Sequence, residues 1–186
     1  MPNFQNEKKL VLDYWNEVDK CNNQDLEKII SKYTSNNFHM RCTHPFNELD
    51  GVEQVANQLW VPIKKSFKPI QRRLDIFYAA ENSLDENGGI WISSMGHLMG
   101  VFNKNFFGLQ PHYKSSLLRF AEFYKVEGNK ITEGAIFLDI FNFMQQLGLS
   151  IIPESTGLVC VTPGPMNHKG LKLSLIHISE PTRPDE

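Results

Sequence analysis

Cysteine is scarce in this chain. Its 186 residues hold three, Cys21, Cys42 and Cys160, scattered, odd in number and in no Cys-x-x-Cys pair. That argues against a disulfide framework and against a cysteine zinc site. An excess of charge is lacking too: 19 Lys and Arg stand against 21 Asp and Glu, for a net charge of −2. With no basic run or Lys/Arg stripe, no nucleic-acid partner is expected. The N-terminal MPNFQNEKK has no apolar centre of a signal peptide, and no run is long enough to span a bilayer. No membrane partner is expected, and the default location is cytoplasmic. Gly-x-Gly-x-x-Gly, a phosphate loop and a Ser or Cys nucleophile motif are missing as well, so covalent catalysis is not indicated. His39, Arg41 and His44 lie close together, but no carboxylate completes a tight ligand set with them, and no metal is expected.

What is present is a domain-sized chain with the composition of a globular protein and room for a real core. Its centre is residues 117–148, LLRFAEFYKVEGNKITEGAIFLDIFNFMQQLG. Period-2 alternation puts Leu118, Phe120, Glu122, Tyr124 and Val126 on one strand face and Arg119, Ala121, Phe123 and Lys125 on the other. Gly128-Asn129 is a hairpin turn signal. The returning strand divides into Ile131, Glu133, Ala135, Phe137 and Asp139 against Thr132, Gly134, Ile136, Leu138 and Ile140. A helix follows over 140–147, with Asp139 as its N-cap or as an acid at the mouth of a buried strand.

Upstream, Val11, Tyr14, Trp15 and Val18 make the apolar stripe of a helix over 6–20. A second helix is predicted over 24–33 and a short strand over 38–43. Asp50-Gly51-Val52-Glu53 resembles a capping box, and the helix it opens meets Pro62, which should kink or shorten it. Strands follow over 70–80 and 90–102, the latter with bulges or bends expected at Gly96 and Gly100. The loop 103–112 carries Phe106, Phe107 and Leu109, too apolar to be merely solvated, and is a candidate cover for a pocket mouth. Helices followed by a run of strands imply an α+β fold, a curved and mostly antiparallel sheet wrapped around N-terminal helices.

This order, with several local patterns, resembles the SnoaL-like polyketide cyclases of the nuclear transport factor 2 and ketosteroid isomerase superfamily. The resembling residues are His44-Pro45-Phe46-Asn47-Glu48-Leu49 with Gly51, then Gly96-His97 with Gly100 and Phe102. Glu122 to Val126, the Gly128 to Ile131 turn, Glu133, and Asp139 through Gln146-Leu147-Gly148 complete the set, which covers about residues 7–152. The resemblance implies a cone-shaped α+β barrel around an apolar pocket, often a homodimer through the sheet, with no cofactor. It implies intramolecular aldol chemistry with pocket acids and a His handling protons. Two departures bear on the site: many members carry Trp where Ala135 stands, beside an ionisable residue where Ile136 stands. Many also place the strand His at the position of Leu98.

Asp139 is therefore the candidate base, with His97 or Glu122 as the proton donor to an enolate oxygen. Each has a plainer reading beside it. Asp139 is also a helix N-cap, His97 a hydrogen-bonded core histidine, and Glu122 the partner of a Lys or Arg on a neighbouring strand. Glu133 is read as a pairing residue. The expected substrate contacts are Trp91, Trp60, Met99 and Phe120, with Phe137, His39 and Arg41 beside them. The function expected is cofactor-independent cyclase- or isomerase-type chemistry on a small apolar carbonyl compound. The alternative is a non-catalytic domain of the same fold that binds a small molecule or another protein.

The tail reads differently. Residues 173–183, LSLIHISEPTR, match the translation of a transposon-derived adapter used in sequencing libraries. The expected organisation is a domain over 1–152, an extended arm or linker over 153–172 rich in Pro, Gly, Ser and Thr, and an artefactual tail over 173–186. A natural chain interrupted near Lys172, with a second similar domain beyond it, would fit that reading.

Overall fold

The computed structural model of the chain describes residues 4–83, 88–149, 151, 153 and 157. The predicted arm and tail fall outside the described residues, apart from positions 153 and 157. The elements are α1 (Gln5–Lys20), α2 (Leu26–Tyr33), β1 (Thr34–Cys42), β2 (Glu48–Asp50), α3 (Gly51–Gln54), a π-helical stretch (Val55–Trp60) and α4 (Val61–Ser66). Then come β3 (Phe67–Glu81), β4 (Ile90–Phe102), β5 (Ser115–Glu127), β6 (Lys130–Leu138) and α5 (Ile140–Gln146).

The helices form where the periodicity predicts and bury the predicted stripe. Val11, Tyr14, Trp15 and Val18 of α1 are all buried against the sheet. Pro62 cannot donate the helical hydrogen bond and crowds the carbonyl one turn earlier. The backbone absorbs it by widening into the π turn that ends at Trp60. The capping box takes a different form from the expected one: the side chain that returns to Asp50 N–H is Gln54 Oε1, at 3.0 Å. The Asp50 carboxylate instead meets His39 Nδ1 at 2.6 Å.

The six strands lie in the order β2-β1-β6-β5-β4-β3. Every neighbouring pair is antiparallel except β1 with β6. The sheet is open, with β2 and β3 at its edges, and its inner face packs on α1, α2 and α4. β1 starts at Thr34, earlier than the Ser-Asn-Asn run suggests: Thr34 pairs Ile131 of β6, and after a register shift the pairing resumes at His39 with Glu133.

Of the register shifts in the sheet, one in β3 and one in the β5–β6 hairpin bear on the site residues. In β3, Leu74 pairs Gly96 and Ile76 pairs Met95, leaving Asp75 over. There the strands come so close that a Cβ on Gly96 would stand 1.9 Å from Arg73 O. In the hairpin, Val126 pairs Ile131 and Lys125 pairs Glu133, leaving Thr132 over. This corrects strict alternation: Ile131 is buried on the inner face with Gly134, Ile136 and Leu138, not on the face of Glu133. The turn itself holds Gly128 and Asn129 at φ 54° and 63°, the left-handed pair that a tight hairpin needs.

β5 alternates cleanly. Ser116, Leu118, Phe120, Glu122, Tyr124 and Val126 are buried, and the residues between them are half-buried on the outer face. The register Ser94–Glu122 and His97–Arg119 then fixes β4. Ser94 looks inward and His97 outward.

Candidate functional site

Inside the cone, the inner faces of β3 and β5 and the last turn of α1 bring three charges together. Arg72 donates from Nη1 to Glu122 Oε1 at 2.6 Å and from Nε to Asp19 Oδ2 at 3.0 Å. The second Glu122 oxygen accepts from the Tyr124 hydroxyl at 2.9 Å. The guanidinium lies 4.9 Å from the Trp15 ring, 5.0 Å from Phe120 and 5.3 Å from Trp60, close enough for cation–π attraction. Trp60 Nε1 donates in turn to the Tyr14 oxygen at 3.3 Å.

Glu122 is wholly buried and both of its oxygens are engaged. Burial pulls the Arg72 pKa down, but Asp19 and Glu122 outweigh it, so it stands above the ordinary value and Arg72 keeps its proton. Burial raises the hydroxyl pKa of Tyr14 and, with the charge of Glu122, that of Tyr124. The Cys42 thiol is pushed up to about 12 by burial and then by Glu122. Arg72, Asp19, Glu122 and Tyr124 form one hydrogen-bonded network. A base needs an accessible lone pair within reach of a substrate proton, and Glu122 has neither oxygen to spare.

His97 lies on the other side of the sheet. It shares the outer face of β4 with Trp91, Met95, Met99 and Val101, as its parity requires. Its Nδ1 stands 3.1 Å from Asp75 Oδ2, the residue left over by the β3 bulge. Its Nε2 is buried and has no partner among the described residues.

Asp139 is in a third place. It follows β6 and caps α5, its Oδ1 accepting from Asn142 N–H at 2.9 Å. It also lines a cavity of about 490 Å³ at the rim of the cone. One wall is Thr43, His44 and Pro45 from the β1–β2 loop, and a second is Phe106, Phe107 and Leu109 from the loop after β4. The third is Leu138 to Phe141 with Met144. The aromatic wall is interlocked: Phe106 packs on Phe107 with ring centres 4.9 Å apart and on Phe67 at 5.6 Å, and Phe46 meets Phe107 at 5.1 Å.

Helix α5, which forms the third wall, is anchored twice. Phe143 is buried among Phe67, Phe102 and Phe106. Gln146 accepts from Leu117 N–H at 3.0 Å and donates to Leu117 O at 2.7 Å. It stands in for the strand that β6 no longer supplies, since β6 pairs with β5 only as far as Phe120.

Asp139, His97 and Glu122 therefore do not meet in one cavity. They occupy the rim, the outer sheet face and the closed interior. The expected substrate contacts are also dispersed. Trp60 and Phe120 pack in the core against Arg72. Trp91 and Met99 are half-buried on the outer face, and Phe137 is 53% exposed there. His39 pairs with Asp50, and Arg41 pairs with Glu133 at 3.3 Å. None of the seven lines the rim cavity.

The sequence singles out neither Arg72 nor Asp19, and it gives Gln146 no role beyond its place in the resemblance. A charge at Arg72 between Ile70 and Leu74, on the apolar parity of its strand, was the one available signal. Among the described residues, no three His, Cys, Asp or Glu stand together to hold a metal ion, and no helix is long and apolar enough to cross a membrane.

No family model matches the sequence, and no curated protein does. Solved structures do match. A SnoaL-like protein from Jannaschia sp. CCS1, assigned as a polyketide cyclase, is 15% identical with a TM-score of 0.58, covering 77% of this chain and 91% of that one. A nuclear transport factor 2-like protein from Burkholderia thailandensis E264 is 13% identical with a TM-score of 0.55, over 81% and 100%. A protein with a ketosteroid isomerase-like fold from Catenulispora acidiphila DSM 44928, in complex with trimethylamine, is 11% identical with a TM-score of 0.54, over 75% and 93%. At these identities the likeness is one of fold. The chain has the α+β cone that SnoaL-like, nuclear transport factor 2-like and ketosteroid isomerase-like proteins share.

Proposed function

We propose that this chain is a small-molecule-binding domain that takes a compact apolar ligand in the rim cavity. The observation that carries the reading is a contrast. The interior acid is locked in an ion network, while the rim offers about 490 Å³ lined mostly by aromatic and aliphatic side chains with a few polar groups. Such a lining is the usual make-up of a ligand site. A homodimer through the outer sheet face, where Phe137 and Tyr78 are 53% and 47% exposed, and a cytoplasmic location belong to the same reading.

Titration calorimetry with small aromatic ketones tests it. Binding with one site per chain, lost in Met144→Trp because the indole fills the cavity, is the expected result. Saturable binding that survives that substitution would place the site elsewhere.

A second reading is cyclase- or isomerase-type proton transfer to a carbonyl compound held in the same cavity. One observation favours it: the helix cap engages Asp139 Oδ1, and among the described residues Oδ2 has no partner. Asn caps a helix about as well as Asp, so Asp139→Asn keeps the fold and removes the base. Turnover of a carbonyl substrate that persists in this variant would end the second reading and leave the first standing.

A further inference from the structure

Resting on the binding reading above, we infer that the rim cavity selects ligands bearing an ammonium group, held between the Asp139 carboxylate and phenyl faces. The charge of the lining carries the argument. Among the described residues, Asp139 is its sole carboxylate, and no Lys or Arg lines it. The other ionisable side chain is His44, which is exposed. Arg119 is not in this lining; it shares the neighbouring groove with Met95, Phe137 and Asp139, which borders both spaces.

A carboxylate facing apolar walls must be solvated or paired. The cap satisfies Oδ1 through Asn142 N–H, and Oδ2 has no partner among the described residues. A carboxylate accepts and never donates, so its complement is a donor or a cation. The walls narrow that choice. Phe106, Phe107 and Phe141 present three phenyl rings to the same space, and the face of an aromatic ring attracts a cation. A quaternary or tertiary ammonium, weakly hydrated and apolar at its surface, is favoured by both elements together. A ligand carboxylate or phosphate is repelled by Asp139 and finds no Lys or Arg among the described lining residues. Helix α5 has only seven residues, so its N-terminal dipole offsets little of the Asp139 charge.

The test uses two probes of one shape. Benzyltrimethylammonium and its uncharged carbon isostere, neopentylbenzene, are titrated into the full chain by protein-observed NMR at pH 8, where an imidazole is neutral. The expected result is tighter binding of the cation by about tenfold or more, weakening as potassium chloride rises. In Asp139→Asn, which keeps the cap, that preference should vanish while neopentylbenzene binds as before. Equal or tighter binding of the neutral isostere to the unaltered chain overturns the ammonium inference and leaves the cavity reading intact. A cation preference that survives in Asp139→Asn overturns the role of Asp139. Failure of both probes to bind overturns the cavity reading and this inference together.

Discussion

Glu122 and Asp139 are carboxylates on consecutive elements of one fold, and they sit in opposite circumstances. Glu122 has no exposure, and both oxygens are held, one by Arg72 and one by Tyr124. Asp139 has one oxygen held by a backbone N–H and opens onto a cavity. The interior thus uses its polar groups on each other, and the rim leaves one to spare. Where a carboxylate's partners come from the protein itself it is part of the scaffold. Where a lone pair faces an apolar void it is the group to suspect of meeting a ligand.

The sharpest way to break this contrast is to remove the cation from the interior. Arg72→Met strands Glu122 in the core, with the half-buried Asp19 beside it, and should destabilise the chain by roughly 3–5 kcal/mol, the usual penalty for breaking a buried pair. Urea unfolding measures it. A loss under 1 kcal/mol would mean that the network does not hold the scaffold together.

Next in size is the latch on α5. Gln146→Ala removes two hydrogen bonds to Leu117 and should cost about 1–3 kcal/mol at ~0.5–1.5 kcal/mol each. It should also weaken ligand binding at the rim, which Arg72→Met should not do in the fraction that remains folded. At Asp139 the Ala variant should lose about 1 kcal/mol by losing the cap, and the Asn variant close to nothing. Equal losses would show that charge, not capping, is the structural contribution.

A further effect is in pH. The Cys42 pKa is raised to about 12 in the folded chain against ~8.5 for an unperturbed thiol. The folded state therefore binds this proton more tightly than the unfolded one. The contribution is whole below pH ~8.5 and is lost as pH rises toward about 12. Tyr14 and Tyr124, raised by burial, add to the same alkaline slope. Cys42→Ala should flatten part of it in unfolding curves taken from pH 8 to 11.

The fold was legible in the sequence because its signals are local. The α1 stripe, the Gly128-Asn129 turn and the alternation of β5 each follow from the period of one element. The site was less legible because it depends on relations between elements. Parity groups His97 with Met95 and Met99, but it cannot say whether that face looks in or out. The sign is set by the register with β5 and by the helices that cover one side. Glu122 was open to pairing with a basic residue, yet its partner lies on β3, beyond the intervening β4, and no spacing rule reaches that far. The Thr132 bulge shifted Ile131 by one position, since alternation counts residues and a bulge adds one. Asp139 came closest to full legibility, because a cap is decided by the turn that follows it.

The Gln146 bracket has a mechanical meaning. A ladder made of backbone opens only when a strand is pulled away, and its rungs fail together. The rung at Leu117 is a side-chain amide, so it releases by rotation about a few single bonds while β5 stays paired to β4 across the same residue. Releasing that bracket leaves α5 held by the buried Phe143 ring among Phe67, Phe102 and Phe106, with Ile140 and Leu147 against the core. Leu117 N–H should exchange with solvent faster than its neighbours within β5. Its exchange rate is a direct gauge of how often the Gln146 bracket releases.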